Sequence, residues 1–401
     1  MNVPKTLLLG ALAASVATGL QAQTIIHLTG STAFRAATTV AIRNILGSQG
    51  SYTFGYVGSS INGASRQIFT GNASNGFPVI IKTSWSGSVG GLQTVSQNIG
   101  ISTWLTNNSP QTGAAIASPV YDPSTVPDAC MSDVFQASSP YTSPALTEQT
   151  VGVVNFMWCR NNGAPAGLTN VTPQLARALY RRGTLPLALF TGNNADESKL
   201  VYAVGRDADS GTRLTAFAES GVGTLTTVAQ YAFTNANGQI NGGNNGTGSP
   251  ITSWGFYPPE TINGIFYDTG NGGYPSGGDV AAVMFFQSPV ALNGYMVAYL
   301  GYGDATNAIF HGASPLMYNG VPYPFADNVA IYEGQYTFWG YEHLDYRSNL
   351  GTVNAVAKAV CDQIAAQIKG TPATASASGL SLTSMRSSRQ SDGGTITATY
   401  Y

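Results

Sequence analysis

Residues 201–217 pass from an apolar run through a short polar loop into a helix-like segment, and other parts of the chain repeat that arrangement. Val201, Tyr202, Ala203 and Val204 have the character of a buried strand. Leu214, Ala216 and Phe217 suit the first turns of a helix. Between them stand Arg206, Ser210, Gly211 and Thr212. Ser210 or Thr212 carries the hydroxyl needed to cap the helix, and Gly211 lets backbone come close to a bound group. The free amides and positive dipole end of such a helix favour an anion. Arg206 adds a planar donor fork matched to phosphate or carboxylate. The plainer alternative is an ordinary strand–helix loop, with Arg206 paired on the surface to Asp207 or Asp209.

A second unit of the same build opens with a strand over 24–28. It continues through the turn Thr29, Gly30, Ser31, Thr32, Ala33, Phe34 and Arg35 into a helix ending near Leu46. A third polar loop, 85–91, follows a strand at 78–84. Further strands are expected at 54–58, 151–158, 280–286, 295–300 and 330–339. Helices are expected at 172–181, capped by Thr172 or Asn170, and at 353–368, where Val356, Val360, Ile364 and Ile368 recur every fourth residue. Strands alternating with helices predict an α/β architecture with largely parallel sheets, and ligands bound beyond the carboxyl ends of the strands. Small polar segments fall at such ends at 30–35, 86–91, 132–133 and 206–213. Residues 62–75 and 101–127 read as loops, 222–272 as hairpins and long loops, and 371–401 as a flexible Ser/Thr-rich tail.

Composition narrows the function. Charged residues make up 9% of 401 and the formal net charge is -2, against about 25% charged residues in an average domain. No basic face is available for nucleic acid. Lys5, the apolar run 6–20 and the sequence Leu20, Gln21, Ala22 predict a signal peptide over 1–22, with no lipid-anchor cysteine after it. No later run reaches the ~18 apolar residues of a membrane helix, so a monomeric periplasmic or secreted protein is expected. Export permits a disulfide; Cys130 with Cys159 is the expected pair, since Cys361 sits in an apolar helical stretch. His27, His311 and His343 are scattered, which gives no metal-ligand spacing. No nucleophile-elbow motif surrounds Ser210 and no histidine neighbours it in sequence, so catalysis is not expected, nor is a cofactor.

Four segments, in order, carry a family resemblance: Leu28-Thr-Gly-Ser-Thr-Ala-Phe34, Gly87-Ser-Val-Gly-Gly91, Met131-Ser-Asp-Val134 and Arg206-Asp-Ala-Asp-Ser-Gly-Thr212. Together they resemble the anion-binding segments of the phosphate-binding type II periplasmic solute-binding proteins, the receptors of ABC importers. The resemblance covers most of the chain from 24 to about 300. It implies two α/β lobes joined by a hinge, with a ligand cleft between them. Residues 23–155 and 281–370 would form one lobe and 156–280 the other. It further implies that Ser31, Thr32 and Phe34 donate from the first helix N-terminus, mainly through backbone amides. Ser88 would donate its hydroxyl, Arg206 would pair with the anion, and Ser210, Gly211 and Thr212 would donate from the second helix. Asp133 would be the acceptor. An ionised carboxylate cannot donate, so it gains only from a ligand oxygen that keeps a proton, which would select phosphate over sulfate. Two departures stand out: the first loop lacks a second glycine and the proline after the aromatic residue, and Arg35 follows Phe34 instead, as a second ligand cation or a surface residue. The implied partners are phosphate or a related oxyanion and the membrane component of an importer. The alternative is a secreted interaction or adhesion module on the same fold, presenting the loops at 235–275 and the aromatic segment 332–341.

Overall fold

The computed structural model describes residues 23–74, 76–235 and 251–399. The expected signal peptide and the middle of the 235–275 loops lie outside the described residues. The architecture is α/β, built on a 12-stranded sheet. In space its strands run Thr184–Pro186, Leu200–Val204, Gly294–Gly301, Leu146–Arg160, Trp339–Arg347, Ala129–Ser132, Thr24–Gly30, Pro78–Ser84, Arg66–Asn72 and Thr53–Val57. Ser314–Tyr318 and Asn170–Val171 attach off this path.

The sheet is mixed rather than largely parallel. Thr24–Gly30 is parallel to both of its neighbours, and Leu200–Val204 to Gly294–Gly301. The run from Thr53 to Ser84 is antiparallel, because the connections between its strands are too short for a crossover. Its middle strand, Arg66–Asn72, occupies a segment expected as loop. Ile68 and Phe69 are fully buried there, and the polar residues around them hid the strand in the sequence.

Leu146–Arg160 is fifteen residues long and buried from Val151 to Cys159. That explains its continuous apolar run, since both faces are covered. Residues 146–155 pair with Trp339–Arg347, while 156–160 pair with Gly294–Gly301. Within residues 281–370, Gly294–Gly301 pairs with Leu200–Val204 and with 156–160, residues 314–316 pair with 158–160, and Trp339–Arg347 pairs with 146–155.

Two other expectations change. The apolar run 280–286 lies largely in the helix Gly277–Met284, capped by Ser276, whose Oγ accepts the Asp279 amide at 3.1 Å. A short buried helix and a buried strand look alike by periodicity. The 330–339 segment begins with the helical turn Val329–Tyr332, and the strand starts only at Trp339.

Cys130, Cys159 and Cys361 are buried free thiols, so the expected Cys130–Cys159 bridge is not formed. Cys130 lies opposite Asp345, and Asp345 opposite Glu148. A whole strand thus separates Cys130 from the strand that carries Cys159. Two strand spacings are roughly 10 Å, beyond the ~7 Å Cα limit of a disulfide.

Residues 371–399 are packed, not loose. Ser378 Oγ accepts the Ala37 amide at 2.9 Å, and Leu380 exchanges backbone hydrogen bonds with Val153 at 2.8 and 3.0 Å. Asp392 accepts the Phe135 amide at 2.9 Å. Arg389 is buried over the Trp339 ring, pairs with Glu219 at 2.9 Å and donates to the Thr337 carbonyl at 2.7 Å. The segment thus touches the strands Leu146–Arg160 and Trp339–Arg347 and the helix Gly211–Ser220. Its short polar side chains read as solvent-loving, yet they satisfy a helix end and backbone that would otherwise go unpaired. Arg389→Ala removes the ion partner of Glu219, a nearly buried side chain that keeps the Thr337 hydroxyl, and empties the space over Trp339, so urea denaturation should show a loss of roughly 2–4 kcal/mol; an unchanged midpoint would mean that the segment does not hold the fold.

Candidate functional site

The carboxyl ends of the parallel strands lead into the segments singled out in the sequence. Thr24–Gly30 leads into the helix Arg35–Ser48, Pro78–Ser84 into Ser88–Ser96, Ala129–Ser132 into Asp133, and Leu200–Val204 into Gly211–Ser220. All four segments meet. The Gly87 amide donates to the Gly30 carbonyl at 2.9 Å, the Val89 amide to the Asp209 carbonyl at 3.1 Å, and Thr215 Oγ1 to the Asp133 carbonyl at 3.2 Å.

Asp133 is the centre of that meeting. It is buried, and the Ser88 hydroxyl donates to its Oδ1 in a short hydrogen bond. Thr212 Oγ1 donates to Oδ2 at 3.4 Å. Gly211 packs so closely that a Cβ there would fall on Oδ1 and lie 2.6 Å from Ser88 Oγ. Burial pushes the Asp133 carboxyl up, while the Ser88 hydrogen bond and the Arg206 charge pull it down. The hydroxyls expected to hold an external anion are thus already answered by an internal carboxylate.

Two further expected donors, the Ser31 amide and the Ser210 hydroxyl, are engaged elsewhere. The Ser31 amide is committed to the Met131 carbonyl at 2.8 Å, so it cannot serve as a ligand donor. The Phe34 ring is wholly buried against Gly152 and Gly379, whereas the donor expected there is its backbone amide. Ser210 Oγ accepts the Arg213 amide at 3.2 Å and is the helix cap. Arg206 is nearly buried; its Nε donates to the Tyr274 carbonyl at 3.1 Å and Nη2 to the Pro275 carbonyl at 3.0 Å. Arg213, which sequence reasoning missed, braces this loop from below by donating to the Arg206 carbonyl at 3.1 Å and the Asn271 carbonyl at 2.9 Å.

Beside Asp133 lies a cavity of about 680 Å³. Of the expected site residues, Thr32, Arg206 and Thr212 reach its wall. So do Arg35, Asn155 and Asp304. Helices Arg35–Ser48, Gly211–Ser220, Gly277–Met284 and Tyr302–Phe310 each present N-terminal residues to it. Their positive ends favour negative charge. Burial lowers the pKa of Arg35; nearby Asp304 raises it, and nearby Arg206 lowers it further. Asp304 is pushed up by burial and pulled down by Arg206 and Arg35. The sequence did hold one missed signal: Ser276 followed three residues later by Asp279 is a capping pattern. Reading 280–286 as a strand concealed it. Among the described residues, no group of three or more His, Cys, Asp or Glu side chains is placed to hold a metal ion, and no helix is long and apolar enough to cross a membrane.

No protein-family model and no curated protein sequence matches this chain. Solved structures do. One, described as a phosphate ABC transporter substrate-binding protein with bound phosphate from Clostridium perfringens, is 11% identical with a TM-score of 0.48, over 90% of this chain and 100% of that one. PstS from Borrelia burgdorferi is 12% identical with a TM-score of 0.41, over 90% and 98%. A protein described as phosphate-binding from Planctomyces limnophilus is 11% identical with a TM-score of 0.39, over 86% and 98%. What the cavity can hold has to be judged from its own residues.

The loop behind Arg206 carries a pH signature. Burial pushes Asp207 up to about 7 against the pull of Arg206, and pushes Asp209 up to about 6. A carboxyl raised above its unfolded value of about 3.9 binds its proton more tightly when folded. Folding then takes up protons, and stability falls as pH rises from about 4 to about 7. Asp207→Asn removes that loss, so in thermal melts its stability relative to wild type should rise progressively between pH 4 and 7. A difference independent of pH would show that Asp207 is not held protonated.

Proposed function

We propose that this protein is an exported solute receptor that captures a small molecule bearing an oxyanion, phosphate or a related group, and delivers it to an ABC importer without chemical conversion. The observation that carries this is the cavity wall. Two guanidinium groups and four helix N-termini face one space in which, among the described residues, Asp304 is the only carboxylate. In a chain so poor in charge, that is a concentrated anion-attracting surface. Carbonyls hold Nε and Nη2 of Arg206, while Nη1 makes no hydrogen bond among the described residues. The guanidinium is therefore oriented before any ligand arrives, which lowers the cost of binding.

The same reading divides the molecule into two lobes where Leu146–Arg160 changes partners, between Asn155 and Phe156, with the return between Tyr318 and Trp339. Opening about these two crossings would admit the ligand, and closure would give the importer a distinct form to recognise. Binding rather than catalysis is supported by Ser210, whose hydroxyl is committed to the helix cap. A second reading, a secreted interaction module, draws on one observation: Ile265 and Phe266 are exposed on the hairpin of Glu260–Ile262 and Ile265–Tyr267.

The test is titration calorimetry of the full chain, freed of bound anion, with inorganic phosphate, sulfate and small phosphate esters. At least one should bind, and Arg206→Gln should weaken it by roughly tenfold to a hundredfold, the worth of one charged hydrogen bond. Binding of none of them would remove the receptor proposal and leave the interaction module.

A further inference from the structure

We infer that the ligand is a hydroxylated phosphate monoester, of the sugar phosphate kind, rather than free inorganic phosphate. This rests on the receptor reading and goes beyond it by naming the ligand class.

The first observation concerns the donors. Ser88 and Thr212, which would grip a bare oxyanion, donate instead to Asp133, and Gly211 packs on the same carboxylate. The small-anion position is filled from within. What remains open is the cavity beside it, walled by Arg35 and Arg206.

Size is the second observation. A cavity of about 680 Å³ falls in the range of roughly 300–1,000 Å³ that encloses drug-sized ligands, and a water takes only about 30 Å³. Free phosphate, with five heavy atoms, would leave most of that space to solvent.

The third observation points to hydroxyls. Asn155 is 2% exposed and lies in the cavity wall, and its Oδ1 has no hydrogen-bond partner among the described residues while its Nδ2 donates to the Tyr323 hydroxyl. A buried acceptor left unpaired is costly, and a ligand donor would relieve it. Asp304, on the first turn of Tyr302–Phe310, also lines the cavity and accepts no hydrogen bond among the described residues. Ionised, it can only accept, and it would repel a bare anion. Arg35 and Arg206 therefore suit the phosphoryl group of the ligand, and Asp304 and Asn155 suit hydroxyls on its carbon skeleton. Free phosphate keeps at most one or two protons near neutral pH, and it would have to spend them on acceptors contributed by two different elements while its other oxygens face the arginines.

Calorimetry of the full chain with inorganic phosphate, glycerol 3-phosphate, glucose 6-phosphate and glucose tests this. An ester should bind at least about tenfold more tightly than phosphate, because a site built to pair hydroxyls discriminates strongly against ligands that lack them. Asp304→Asn should remove most of that advantage by weakening the ester, with phosphate unchanged or tighter. The milder Asn155→Ser should likewise weaken the ester more than phosphate, and circular dichroism establishes that both variants are folded. Phosphate binding as tight as every ester would overturn this inference and leave the receptor reading in place. Glucose binding as tightly as its phosphate, or no ligand binding at all, would overturn both. Equal weakening of ester and phosphate in Asp304→Asn would overturn the assignment of hydroxyls to that carboxylate.

Discussion

Leu146–Arg160 has two sets of neighbours to satisfy, and the rest of the molecule is arranged around that demand. Its first ten residues hydrogen-bond to Trp339–Arg347 and its last five to Gly294–Gly301. A strand buried on both faces has no freedom to be anything but apolar, and 151–159 obeys, with Asn155 the lone polar exception. That exception sits where the partners change, and it lines the cavity. The fold therefore puts the one polar residue of 151–159, the strand's change of pairing and a cavity lined by two arginines in one place.

Charged residues are few in this chain, and several of them lie inside it. Arg206, Arg213 and Arg389 are all nearly buried, and each is held by backbone carbonyls, joined in the case of Arg389 by Glu219. Glu342 and Asp345 are wholly buried on Trp339–Arg347, and burial holds both carboxyls well above the ordinary range. Asp133 is the buried carboxylate tied most directly to the candidate site, through Ser88 and Thr212. A desolvated charge must find partners nearby, and for Asp133 those partners are the loop hydroxyls of Ser88 and Thr212.

The candidate site was legible in part. Arg206 and Thr212 were singled out because a strand, a polar loop and a helix make a local unit that sequence spacing reveals, and both line the cavity. Thr32 was found the same way. Ser31 and Ser210 have the right residue types, but nothing local says whether an amide or a hydroxyl faces the cavity or is engaged inside the protein. Asp304 and Asn155 were not found at all. They come from a helix and a strand 149 residues apart, and only the sheet order brings them to one wall.

The sequence by itself determined the α/β character, the central strand 151–158, the helices that begin near Thr172 and near Ser210 or Thr212, and the polar loops at strand ends. These depend on periodicity and on capping chemistry within a few residues. Tertiary structure decided the mixed sheet, the packing of residues 371–399, the separation of Cys130 from Cys159, and the occupation of Ser88 and Thr212 by Asp133. Each of these turns on which distant strands lie side by side, and that is set by burial of the whole apolar surface rather than by any single segment.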